Sequence, residues 1–248
     1  YRAMNGVDIV IHAAALKHVI FCEKNISEAI KTNLLGTQNV ITSSINNNVE
    51  KVIYVSTDKA VNPTSVMGST KLIGERLSID SNKLSKTKIS CVRFGNVLSS
   101  RGSVFQTFKK QIEKGKKLTI TDVEMTRFVM TPSDAINLVL EAGNTAKGGE
   151  IFILKMPSMK IIDLAKAMCK YYEKENEIEI IGPKFGEKLY EELITETEAK
   201  YVSENKNMYM ISSENDNKII NTLRSDDSKY ILSEDQILEY IKKMLDNV

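Results

Sequence analysis

Val52-Ile53-Tyr54-Val55-Ser56-Thr57-Asp58-Lys59-Ala60, continued by Asn62-Pro63-Thr64-Ser65-Val66-Met67-Gly68-Ser69-Thr70-Lys71, decides the fold. The first part is a short apolar, β-branched run that ends abruptly in Ser, Thr, Asp and Lys. A buried parallel strand reads this way when its carboxyl end opens onto a crevice. Pro63 and Gly68 interrupt the pattern, and Lys71-Leu72-Ile73-Gly74-Glu75-Arg76-Leu77 resumes at helical period. A helix is therefore expected from about Ser69 to Lys83. Titratable residues at a strand end, followed by a lysine in the next helix, sit where open α/β sheets bind ligands.

Outward from this block the same alternation repeats. Upstream, Tyr1 to Asn5 reads as a helix end stopped by Gly6, and Val7-Asp8-Ile9-Val10-Ile11 as a strand running into His12-Ala13-Ala14-Ala15. Ser27 to Asn47 places apolar residues at Ala29, Ile30, Leu34, Val40, Ile41 and Ile45, a helix with a buried stripe. Downstream, Ile89-Ser90-Cys91-Val92-Arg93 is the next buried strand and leads into Phe94-Gly95-Asn96-Val97. Alternation at this spacing predicts βαβ units, an α/β fold with a doubly wound parallel sheet. Past Leu98 the expectations are helices at Val104 to Lys114, Pro132 to Ala142 and Met159 to Tyr172, and strands at Leu118 to Thr121, Glu150 to Leu154 and Glu177 to Ile181. Residues 200–230 are rich in Asn, Ser and Lys and read as irregular. Ser233 to Asp246 reads as an amphipathic helix capped by Ser233.

Composition narrows the class. With 248 residues, 42% apolar and 27% charged, the chain can bury a real core, which excludes disordered and fibrous classes. Lys and Arg total 34 against 32 Asp and Glu, a formal charge of +2 that predicts no nucleic-acid partner. Cys22, Cys91 and Cys169 fit neither a disulfide framework nor a zinc spacing, and His12 and His18 are too few for a histidine-rich metal site, so no metal is expected. No apolar run approaches the ~20 residues that span a bilayer. A cytoplasmic setting without a membrane segment is the expectation.

Alone, Thr-Asp-Lys after a strand reads as a solvated turn, and Met67 beside Lys71 as a core residue with a snorkelling neighbour. The whole block, in its strand–loop–helix context, resembles the extended short-chain dehydrogenase/reductase family. Within it the block is similar to the nucleotide-sugar 4,6-dehydratases that act on UDP-N-acetylglucosamine in bacterial surface-polysaccharide synthesis. The resemblance runs from Val7 to about Glu198. It implies a Rossmann-like fold, NADP or NAD as cofactor, a UDP-sugar substrate and a homo-oligomer. The family's Tyr-x-x-x-Lys survives in spacing as Met67-Gly68-Ser69-Thr70-Lys71, with Met67 at the tyrosine position. A thioether has no proton to exchange, so the proton acceptor at C4 stays open. By resemblance, Asp58 protonates the departing C6 hydroxyl, Lys59 works at C5 and Thr57 hydrogen-bonds the C4 oxygen. A lysine base must be neutral, which calls for a pKa depressed by Lys71 or by desolvation.

The resemblance also implies cofactor contacts at Ala13, Ala14, Ala15, Asn33, Ser56, Lys71 and Phe94. Three small residues at a strand end let a flat ring approach the backbone; tight helix-to-sheet packing is the alternative. Asn33, in Thr32-Asn33, resembles a residue that braces the active-site backbone. Substrate contacts are implied at Lys17, Asn96, Arg101, Arg127 and, in Gly186-Glu187-Lys188, at Glu187. His12 and His18 are read as structural. Val97 to Val104, Thr119 to Phe128 and Met156 to Lys160 lean toward members that invert C5. The family's glycine-rich pyrophosphate loop has no counterpart here, so the chain is expected to be an N-terminal truncation lacking the first βαβ half and to bind dinucleotide poorly. Residues 1–100 with about 133–156 are expected to form the cofactor domain. Residues 101–132 with 157–248 are expected to form a smaller C-terminal α/β substrate domain. The rivals are a UDP-sugar C4-epimerase of the same fold and a non-catalytic nucleotide-sugar-binding domain.

Overall fold

In the computed structural model, which describes residues 1–213 and 221–246, the first regular strand is β1 (Ile9–His12). Helices α1 (Val19–Lys24) and α2 (Ile26–Ala29) follow, and α2 runs through a π-helical stretch, Ile30–Leu35, into α3 (Gly36–Asn46). Next come β2 (Lys51–Thr57), a 3₁₀ turn Asp58–Ala60, α4 (Val66–Asp80) and β3 (Lys88–Phe94). The chain continues through β4 (Asn96–Val97), α5 (Val104–Glu113), β5 (Leu118–Ile120), β6 (Thr126–Met130), α6 (Pro132–Thr145), β7 (Ile151–Leu154) and β8 (Ser158–Lys160). It ends with α7 (Ile161–Tyr171), β9 (Ile178–Ile180), β10 (Glu192–Ile194), β11 (Val202–Glu204), β12 (Met208–Ile211), β13 (Leu223–Arg224) and α8 (Glu234–Asp246).

Two units divide these elements. The first comprises Tyr1–Phe94, Ile136–Lys155 and Glu192–Leu223, and holds a six-stranded sheet of order β1-β2-β3-β7-β12-β11. Its first four strands are parallel: Ile9 pairs with Lys51, Thr57 with Phe94 and Val92 with Phe152. β12 then runs antiparallel to β7, and β11 antiparallel to β12. Val52, Ile53 and Tyr54 are consecutive buried residues, as in a strand covered on both faces. α4 packs on β2 and β3. The second unit comprises Gly95–Ala135, Met156–Glu191 and Arg224–Val248. In it β4-β6-β8 form one small sheet and β5 pairs with β9. Its core takes Phe105, Phe108 and Ile112 from α5, Leu164 and Met168 from α7, and Ile237, Ile241 and Met244 from α8. Each series recurs at helical spacing, so each helix turns one apolar stripe inward.

Several expectations are corrected. α4 starts at Val66, not Ser69, because Ser65 Oγ accepts from Gly68 N at 3.1 Å and Glu23 Oε1 accepts from Val66 N at 2.7 Å. Met159 lies in β8, and the helix after it starts at Ile161. The stripe from Ala29 to Ile45 is displaced: Ile30 is 40% exposed, and the buried face is Ala29, Asn33, Thr37, Ile41 and Ser44. The π stretch turns this polar-bearing face inward. Residues 202–211 are a hairpin rather than irregular chain, with the Asn205 carboxamide oxygen accepting from Asn207 N and Met208 N to close its turn. That hairpin carries 192–223 into the first unit and interrupts the run from 157 to 248 that the expected substrate domain comprised. The part of the 200–230 expectation that falls on 214–220 lies outside the described residues. Among the described residues, no helix is long and apolar enough to cross a membrane.

Candidate active site

The buried strand β2 delivers Ser56, Thr57, Asp58 and Lys59 at its carboxyl end. Thr57 caps the 3₁₀ turn: its Oγ1 accepts from Lys59 N at 3.4 Å and donates to Asp58 Oδ1 at 2.9 Å. The same Oδ1 accepts from Lys59 Nζ at 2.9 Å, an ion pair in which Asp58 is fully buried and Lys59 about a quarter exposed. Asp58 Oδ2 is buried and has no hydrogen-bond partner among the described residues, and Ser56 Oγ is in the same position.

Helix α4 presses on this turn from one side. A Cβ on Gly68 would stand 2.3 Å from the Lys59 carbonyl oxygen, so glycine is what lets the first helical turn approach. Three residues on, Lys71 is 6% exposed and its Nζ donates to Val55 O at 2.6 Å. Burial lowers its pKa to about 8, with Glu75 and Cys91 pulling the other way. Met67 is 3% exposed and packs with Cys22 and Ala29 in an apolar cluster. The residue at the expected tyrosine position is thus a buried apolar side chain in this structure.

The inward face of the π stretch is polar for a reason. Asn33 Oδ1 accepts from Leu16 N at 2.7 Å, and its Nδ2 donates to Leu16 O and to Thr70 Oγ1, both at 3.0 Å. It thereby ties the loop after β1 to α4, one residue from Lys71. Ala13 and Ala14 of that loop are exposed, Ala15 is half-buried and Lys17 is exposed. His12 is buried with Nε2 3.0 Å from Thr37 Oγ1, and burial, then Lys71, lowers its pKa.

Beneath the site lies a buried charge cluster. Arg93 is 1% exposed and makes two hydrogen bonds to Glu75, at 2.9 and 2.8 Å, and two to Glu198, at 3.0 and 2.7 Å. Burial opposes its charge, and the two carboxylates more than offset that, so its pKa is raised. Phe94, the next residue, is half-buried at the end of β3.

The remaining nominated residues belong to the second unit. Asn96 is half-buried in β4, and Arg101 is exposed in the loop before α5. Arg127 is 5% exposed, and its guanidinium donates to the carbonyls of Thr126 (2.7 Å), Leu189 (3.2 Å) and Lys188 (2.8 Å). It stands 3.9 Å from Glu187 and 3.8 Å from Glu191. Arg127, where the resemblance implies a substrate contact, braces the chain around Glu187 in this structure. Glu187 itself follows Gly186, whose φ of +78° makes the turn.

Sequence reasoning had not singled out Tyr54, Glu75, Thr37, Arg93 or Glu198 as site-supporting residues. The available signal was polar residues spaced at helical period among the apolar ones, Asn33, Thr37 and Ser44.

A family profile described as polysaccharide biosynthesis protein matches residues 1–213. The chain is 48% identical over 262 residues to an uncharacterized membrane protein of Methanocaldococcus jannaschii, covering 100% of this chain and 77% of that one. It is 46% identical over 213 residues to a UDP-glucose 4-epimerase of Rickettsia massiliae, covering 85% of this chain and 62% of that protein, so it spans less than two thirds of that relative. The solved structure of Pen from Bacillus thuringiensis superposes with a TM-score of 0.92 at 44% identity, over 98% of this chain and 77% of that one. DesIV, a dTDP-glucose 4,6-dehydratase from Streptomyces venezuelae, shares the Rossmann-like fold at a TM-score of 0.72 and 18% identity, over 76% of this chain and 65% of that one.

Proposed function

The chain belongs to the polysaccharide biosynthesis protein family, and from that membership we propose that it acts on nucleotide sugars as a nicotinamide-dependent 4,6-dehydratase of UDP-N-acetylglucosamine, with inversion at C5. The observation that carries this reading is the buried Asp58–Lys59 ion pair at the carboxyl end of β2. Eliminating water across C5 and C6 needs a base at one carbon and an acid at the oxygen of the other. One proton shift along the 2.9 Å contact turns the ion pair into a neutral amine and a carboxylic acid. Lys59 then takes the C5 proton, and Asp58 gives its own to the C6 oxygen. Thr57 holds Asp58 by donating to Oδ1, so its O–H reaches the C4 oxygen only by leaving that bond.

The residues present fit a nicotinamide dinucleotide: Ser56 offers a buried hydroxyl with no partner among the described residues, Lys71 an ammonium, and Ala13 and Ala14 small exposed side chains. When bound, such a dinucleotide supplies a reversible hydride acceptor. Asn33, Ala15 and Phe94 are proposed to line it. Lys17, Asn96, Arg101 and Glu187 are proposed to hold the nucleotide sugar, on the resemblance alone.

A second reading, a UDP-sugar C4-epimerase, is favoured by the name of the Rickettsia massiliae relative. Epimerisation needs no elimination, which leaves Asp58–Lys59 without work. Incubation with UDP-N-acetylglucosamine and NADP or NAD in heavy water, followed by proton NMR, separates the two. A 4-keto-6-deoxy sugar with deuterium at C5 supports the dehydratase, and its couplings report inversion. A 4-epimer with its C6 hydroxyl intact, or an unchanged sugar with dinucleotide bound, rejects it.

A further inference from the structure

We propose that Tyr54 is the positioning residue for Lys71, its ring face serving as the platform on which the ammonium rests. The proposal rests on the reading of Lys71 as a dinucleotide-binding group. Lys71 Nζ lies 4.2 Å from the centroid of the Tyr54 ring, well inside the range of a cation–π contact, and Tyr54 is 1% exposed. The pairing is built from both elements. A Cβ at position 74 would stand 2.3 Å from the Tyr54 hydroxyl and 2.8 Å from Cζ, so Gly74, one turn beyond Lys71, leaves the gap that lets the ring slide beneath the ammonium. The His12 ring stands 5.7 Å from the Tyr54 ring, tilted by 44°.

The charged and titratable groups around Lys71 come from three elements. Glu75 on α4 has both oxygens bound to Arg93. Cys91 on β3 is kept as a thiol by burial, and His12 on β1 is kept neutral by burial and by Lys71 itself. Among the described residues, the ammonium therefore makes its direct contacts with the Val55 carbonyl and the ring. A ring favours the cation without accepting its proton in a strong hydrogen bond, which keeps N–H donors for a ligand.

The test uses the protein as its genome encodes it and measures dinucleotide affinity by calorimetry, and kcat, from pH 6 to 10. The affinity is expected to fall as Lys71 loses its proton. Tyr54→Phe keeps the ring, so affinity should stay within about twofold of the parent at each pH, with the midpoint unchanged. Fluorinated phenylalanines at position 54 drain the ring face while keeping its shape, so folding is preserved. The midpoint should then move down with each fluorine, by about one pH unit at tetrafluorination, because the charged form loses its support. Tyr54→Leu should match the most fluorinated ring. A midpoint that stays put along the fluorine series overturns the proposal, as does a Tyr54→Phe shift as large as the fluorinated one, which would make the hydroxyl responsible. Lys71→Met should flatten the profile. If it does not, the reading of Lys71 falls and the platform with it, an outcome distinct from a flat Lys71→Met profile beside an unmoved fluorine series.

Discussion

Asp58 and Lys59 are adjacent in sequence and share one oxygen, so each can be tested without moving the other's backbone. Lys59→Ala should slow deuterium exchange at C5 by about a hundredfold or more while UDP-sugar affinity changes less than threefold. Exchange at the parent rate, read by NMR, would take Lys59 out of the chemistry. Lys71 makes a different prediction, on stability. Its pKa is lowered from 10.5 to about 8, so between those values the folded chain binds fewer protons than the unfolded one, and stability rises with pH across that window. Below it the full penalty of the buried ammonium applies. Lys71→Met should therefore stabilise the protein at pH 7 by up to about 3 kcal/mol, a gain that shrinks toward pH 10.5. Urea melts at both ends of the window decide it, and an equal gain at each would reject the cause. At this scale the placement of Thr57, Asp58 and Lys59 at a strand end, with Lys71 in the next helix, was legible from their order behind a β-branched run. Arg93 and Glu198 were not, because they stand 105 positions apart and local pattern carries no trace of a contact that long.

The start of α4 is where two elements must approach within a bond's length of colliding. Gly68→Ala would force the Lys59 carbonyl to move, since the added carbon would stand 2.3 Å from it. A fall in kcat of at least tenfold, larger than the fall in Tm accounts for, is expected from steady-state kinetics and thermal melts on one preparation. Unchanged kcat would show that the turn tolerates displacement. Ser65→Ala should cost about 1 kcal/mol through the lost cap. The helix was foreseen three residues late because Gly68 reads as a breaker, although it sits inside the first turn for the room it leaves. The π stretch was hidden for a related reason. The rule that apolar residues face inward selected Ile30, whereas the inward residues Asn33 and Thr37 are polar and satisfied by hydrogen bonds that sequence periodicity does not encode.

Across the whole molecule, the presence of the four parallel strands followed from alternating patterns, whereas their order and the last two strands did not. Val202–Glu204 and Met208–Ile211 are short and separated by Asn205, Lys206 and Asn207, so no run is long enough to signal a strand by itself. β7 supplies the template. Ending the chain at residue 191 removes this hairpin, Glu198 and the Leu193 carbonyl, all partners of the first unit. The shortened protein should lose its cooperative thermal transition in circular dichroism, because Arg93 would lie buried without Glu198 and the Leu193 carbonyl. A sharp transition near the parent Tm would reject that view. The same cluster sets a timetable for birth on the ribosome. Arg93 leaves the exit tunnel early, and Glu198 follows only after another 105 residues, which at ordinary elongation rates takes on the order of ten seconds. Through that interval the nascent first unit has Glu75 to pair with Arg93 but lacks the Glu198 carboxylate and the Leu193 carbonyl that complete its hydrogen bonding. Completion of the first unit is expected to wait for its own late segment, Glu192–Leu223, and mutations or pauses that lengthen the wait should be read out as lost yield rather than lost stability.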